Sequence, residues 1–81
     1  MLEKTIILKD FAAVKKFVEI TNQKPYEIDL LSGKYLVNAK SIMGIFSLDL
    51  TKPLVMVAHT DTYADLLRQT APFHFNHNAK K

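Results

Sequence analysis

The sequence predicts an α+β domain: a four-stranded antiparallel sheet with three helices on one face, in the order βαββαβα. Three observations predict it. Apolar residues recur at helical spacing in one long stretch and alternate or run together in shorter ones. A Ser-Gly pair separates two of the strand-like runs, which makes them a hairpin. The other strands are reached through helices, which act as crossovers over one face.

The elements follow in order. Residues 4–8 (KTIIL) read as the first strand. Asp10 then precedes FAAVKKFVEIT, in which Phe11, Val14, Val18 and Thr21 share one stripe, with Phe17 beside it. Lys15, Lys16 and Glu19 face the other way, and Lys15 and Glu19 pair at i,i+4. Asp10 suits the helix N-cap and complements the helix dipole, and Asn22 and Pro25 end the helix. Residues 26–31 (YEIDLL) alternate, with Tyr26, Ile28 and Leu30 on one face. Ser32-Gly33 is the turn, and residues 34–38 (KYLVN) return. From Ser41, SIMGIFSLDL reads as a short helix despite Gly44, with Ile42, Ile45, Phe46 and Leu48 apolar, until Lys52-Pro53 breaks it. Residues 54–58 (LVMVA) form a continuous apolar strand. Thr62 opens TYADLLRQTA as a capping box with Asp65, its inner face being Ala64, Leu67 and Ala71, and Pro72 stops it. The domain is therefore expected over residues 1–71, with residues 72–81 (PFHFNHNAKK) a tail that carries no period and whose order stays open.

Composition narrows the function classes. With 81 residues the chain makes one small domain, and 48% hydrophobic against 23% charged is the balance of a folded one. It has no cysteine, so disulfides and thiolate zinc sites are excluded. The net charge of +3 includes Lys80 and Lys81 at the very end and is too small and scattered for nucleic-acid binding. No run approaches the ~20 apolar residues that span a membrane. MLEKTIIL lacks the basic start and small-residue cleavage site of a signal peptide, and a cytoplasmic location is expected.

The chemistry-bearing residues are few. His59 follows the last strand, while His74 and His77 stand at i,i+3 in the tail. Without an evident third ligand they are read as surface histidines, and no metal or cofactor is expected. Ser41 is the N-cap of the helix that begins at Ile42. That helix cannot bury Ile42, Met43, Ile45, Phe46 and Leu48 together. Either some face outward as a docking surface, or Ile42, Ile45 and Leu48 are core and Met43 covers the rim.

Residues 37–48, VNAKSIMGIFSL, resemble the regulatory serine segment of the HPr family, the small phosphocarrier proteins of the bacterial sugar phosphotransferase system. The similarity runs back without gaps to Phe17-Val18, which look like the Phe-Val of that family's first helix, and forward to LVMVA, which resembles its fourth strand. It covers residues 4–71, and its specific part is 37–48. The resemblance implies an open-faced β-sandwich with the element order above. The family's phosphocarrier motif is Gly-(Leu/Ile)-His-(Ala/Thr)-Arg-Pro-Ala, whose histidine accepts phosphate and whose arginine helps hold it. Counting back from Phe17-Val18, Asp10 falls at the histidine, Ala12 at the arginine and Ala13 at the proline, and LKDF shortens the loop.

A carboxylate there lacks the imidazole nucleophile and repels an incoming phosphoryl group. The expectation is therefore a non-enzymatic, HPr-like regulatory protein that does not carry phosphohistidine. It is similar to family members that lost the histidine, kept the serine and act in catabolite repression. The resemblance implies phosphorylation of Ser41 by a serine kinase/phosphorylase, docking through Ile42, Met43 and Phe46, and a catabolite regulator as partner. The alternative is an interaction domain that keeps the fold with neither phosphorylation switch. An active carrier is the third reading.

Overall fold

The structure, a computed structural model, describes residues 1–75. Its strands are β1 (Leu2–Ile6), β2 (Ile28–Ser32), β3 (Tyr35–Asn38) and β4 (Leu54–Ala58), and its helices are α1 (Phe11–Thr21), α2 (Ile42–Phe46) and α3 (Ala64–Gln69). The strands form one antiparallel sheet in the order β1-β4-β2-β3. The α+β architecture expected from sequence is the one observed.

Alternation explains the layering. Ile28 and Leu30 of β2 and Leu54, Met56 and Ala58 of β4 point to the helices and are buried. Asp29, Leu31, Val55 and Val57 point to the other, uncovered face. The helices close the core with Val14, Phe17 and Thr21 from α1, Ile45 from α2 and Leu66 from α3.

Several details depart from the sequence expectation. β1 ends at Ile6 rather than residue 8. Its register with β4 runs from Leu2↔Ala58 to Ile6↔Leu54, and past Ile6 the next backbone bond, Ile7 N–H to Phe73 O, goes to the C-terminal segment instead. Leu8 is still fully buried, but from the connection to α1. The hairpin turn is Gly33-Lys34, one residue later than expected, because Gly33 takes a positive φ of 60°. On α1 the buried stripe is Val14, Phe17 and Thr21; Phe11 lies exposed and Val18 half-buried.

α2 stops at Phe46, where the Ser47 hydroxyl donates to Gly44 O at 2.6 Å and closes the last turn. The capping box at α3 is not made. Tyr63 holds the cap position without a side-chain bond, the Thr62 hydroxyl lies 3.2 Å from Thr60 Oγ1, and Asp65 pairs with Arg68 at 3.0 Å. The inner face of this segment is Leu66, Thr70 and Phe73, not Ala64, Leu67 and Ala71. Thr70 can be buried because its hydroxyl donates to Leu66 O at 2.7 Å.

Residues 72–75 are not a featureless tail. A 3₁₀ turn over Ala71–Phe73 drives Phe73 into the core, edge-to-face on Phe17 with ring centroids 5.9 Å apart. The chain then runs along β1: Ile7 N–H donates to Phe73 O at 2.7 Å, Phe75 N–H donates to Thr5 O at 2.9 Å, and Ile6 pairs with His74.

Candidate functional site

The starts of α1 and α2 are built in the same way. Asp10 has extended backbone, and its Oδ1 accepts the Ala13 N–H at 2.8 Å. Ser41, also extended, accepts the Gly44 N–H on Oγ at 3.0 Å. Each side chain thus satisfies one of the helix's orphan donors. Gly44 is what lets Ser41 sit so close. A Cβ at Gly44 would lie 3.2 Å from Ser41 Oγ and 3.4 Å from Val37 Cβ.

An apolar contact ties the start of α1 to the end of α2. Phe11, the first residue of α1, stacks on Phe46 at the end of α2, with ring centroids 5.6 Å apart and planes within 7° of parallel. Both rings remain substantially exposed, at 60% and 42%, and Met43 on α2 is 79% exposed. Ile45 is fully buried, while Ile42 and Leu48 are partly buried against the core. Helix α2 is thus divided between two sides. Its inner side is core, and its outer side is an apolar surface of Met43 and Phe46. Ala12, the second residue of α1, is exposed and its side chain offers no polar group.

Beside Asp10 the structure opens a cleft of about 450 Å³, whose lining includes Lys9, Asp10, Ala13, Phe73 and His74. The Thr70 hydroxyl gives its hydrogen to Leu66 O, so His74 Nε2, 3.0 Å from Thr70 Oγ1, is the donor in that contact. Burial, with a smaller contribution from Lys4, holds the His74 imidazole below the ordinary histidine value. His59 stands elsewhere, its Nε2 2.8 Å from Asp29 Oδ2. His77 lies outside the described residues. Among the described residues no three His, Asp or Glu side chains gather as a metal set, and no helix is long and apolar enough to cross a membrane.

No family model matches the sequence, and no curated protein matches it. The fold has a solved counterpart. The chain is similar to the crystal structure of HPr-C-His from Thermoanaerobacter tengcongensis, at 26% identity and a TM-score of 0.75, over 89% of this chain and 89% of that one. The chain is HPr-like. That relationship is to a family of phosphocarrier proteins, which act by meeting other proteins.

On the HPr-like fold, sequence reasoning found the two caps and missed two neighbours. Phe11 has the right spacing for the buried stripe of α1, and its exposure and its stack on Phe46 reveal it as part of the outer patch. His74 falls in the stretch after Pro72 that carries no period, where only a surface histidine is expected. The available signal was Pro72-Phe73, since a large aromatic soon after a helix stop is a candidate to fold back on the core.

Proposed function

We propose that this HPr-like chain is a regulatory or interaction protein that works through Ser41 and the adjacent apolar patch, and that it does not carry phosphohistidine. The observation that carries this reading is the start of α1. By the resemblance, the family's histidine position is Asp10, whose carboxylate is engaged as the helix cap, and the arginine position is Ala12. Neither of these two positions supplies an imidazole nucleophile or a guanidinium to take and hold a phosphoryl group, and the ring of His74 in the neighbouring cleft is engaged by Thr70.

Ser41 keeps what a switch needs. Its hydroxyl opens α2 beside Met43 and the Phe11–Phe46 stack. A phosphate on that oxygen would carry close to two negative charges next to free helix N–H groups, where such charge is favoured. Gly44 leaves room beside the oxygen. The partners are a serine kinase/phosphorylase and a catabolite regulator that reads the phosphoserine together with Met43 and Phe46. Ile42, partly buried, supports that surface from beneath.

The test is incubation with the family's serine kinase and ATP, read by intact mass. A single phosphate gain that Ser41→Ala abolishes is expected, and no gain sinks the switch. The cap bond itself favours a second reading, in which Ser41 only caps α2 and the chain is an interaction domain. In that case the mass does not change and binding through the patch persists.

A further inference from the structure

The two edges of the sheet are treated differently. The β1 edge is covered by residues 73–75 through the Ile7–Phe73 and Phe75–Thr5 hydrogen bonds and the Ile6–His74 pairing. The β3 edge has no such cover among the described residues, and β3 pairs with β2 alone. It carries Tyr35 and Leu36, 68% and 60% exposed. An open edge strand with large apolar side chains is a template for another strand.

The geometry of the edge selects the occupant. Ser32 and Tyr35 pair across the two-residue turn, so Tyr35 and Val37 direct their N–H and C=O groups to β2. The series continues at Ala39, whose N–H donates to Ile28 O at 2.8 Å. Leu36 and Asn38 therefore direct theirs to the open side. The Asn38 carbonyl already accepts the Ser41 N–H at 3.0 Å. That leaves Leu36 as the residue with both groups ready for an incoming strand.

We propose that β3 pairs antiparallel with β3 of a second copy of this chain, in register at Leu36, so that one sheet runs through both copies. In that register each Leu36 donates to and accepts from its twin, and Tyr35 meets Val37 on the helix side. Lys34 meets Asn38, so no like charges oppose one another. Lys34 also comes beside Asp29, the cross-strand neighbour of Asn38. That attraction between unlike charges occurs twice by symmetry, which is what favours a second copy over an unrelated strand. On the uncovered face Leu36 lies in line with Leu31, Val55 and Thr5. Pairing joins this row to its twin in one apolar stripe.

The chain has no cysteine, so a single introduced thiol reports on the contact cleanly. Residues opposite each other in a hydrogen-bonded antiparallel pair have Cα atoms about 5.5 Å apart, within the roughly 4.4–6.8 Å that a disulfide spans. Under a glutathione redox buffer, Leu36→Cys should form a covalent dimer quickly. Met43→Cys, equally exposed but on α2, should remain monomeric. In sedimentation equilibrium the unmodified chain should dimerise with concentration. Leu36→Lys, which sets two ammonium groups face to face, should raise the dissociation constant on the order of tenfold, with circular dichroism checking that the variant is folded. The proposal is overturned if the unmodified chain stays monomeric up to about 1 mM, or if Met43→Cys cross-links as fast as Leu36→Cys.

Discussion

At the scale of single residues, buried hydroxyls decide whether the helices and loops are held in place. Thr21 is fully buried at the end of α1, and its Oγ1 donates to Ala39 O at 2.9 Å. Ala39 is also fully buried, so no water replaces that partner. Thr21→Val preserves shape and removes the donor, leaving a buried carbonyl without this bond. The expected cost is about 1–3 kcal/mol of stability, measured by urea unfolding; a loss under about 0.5 kcal/mol would show the bond to be dispensable. The helical stripe of the sequence placed Thr21 inside, but nothing local names Ala39, 18 residues away. Asp10 and Ser41 were legible for the opposite reason. Each cap bond spans three residues, so residue type and position suffice. Thr62 failed by the same local logic, because its own backbone N–H turns to Thr60 Oγ1 at 3.1 Å and the helix starts later.

At the scale of elements, α2 couples propensity to capping. A glycine inside a helix ordinarily costs about 1 kcal/mol relative to alanine, so Gly44→Ala would be expected to stabilise. Here the added Cβ meets Ser41 Oγ at 3.2 Å. Relief of that contact swings the hydroxyl off the Gly44 N–H, and the lost cap costs on the order of 1 kcal/mol. The two terms offset, so Gly44→Ala should leave stability within about 0.5 kcal/mol of the parent. In a Ser41→Ala background the same change should gain close to the full 1 kcal/mol or so. Equal effects in both backgrounds, by denaturant unfolding, would show that Gly44 and Ser41 are not coupled. The strands and helices themselves were legible wherever periodicity was long or continuous, as in α1 and β4. The start and end of β1 were not, because its limits are set by its pairing with β4 and with residues 73–75 rather than by its own residues. Nor was the length of α2, whose last turn is closed by a serine hydroxyl.

At the scale of the whole molecule, the C-terminal segment decides how the sheet closes, and this was the least legible feature of all. PFHF carries no period, and its place depends on Phe17 and on β1, both distant in sequence. The closure also makes stability depend on pH. His74 bridges to Ile6 in the backbone and to Thr70 through its ring. Burial first, and Lys4 second, lower its pKa in the folded state. The unfolded chain therefore binds the His74 proton more readily than the folded one as pH falls through about 6.5. The contribution is fully present above that value and is lost progressively as pH drops toward the folded value. His74→Gln keeps an N–H donor for Thr70 and removes the titration. Between pH 7.5 and 5.5 the parent should lose more stability than His74→Gln, read from the shift in urea midpoint with the slope unchanged. The other titrating groups are common to both proteins and drop out of the difference. Parallel pH profiles for the two proteins would mean that the closing segment tolerates a charged His74, and that acid does not open the β1 edge through this residue.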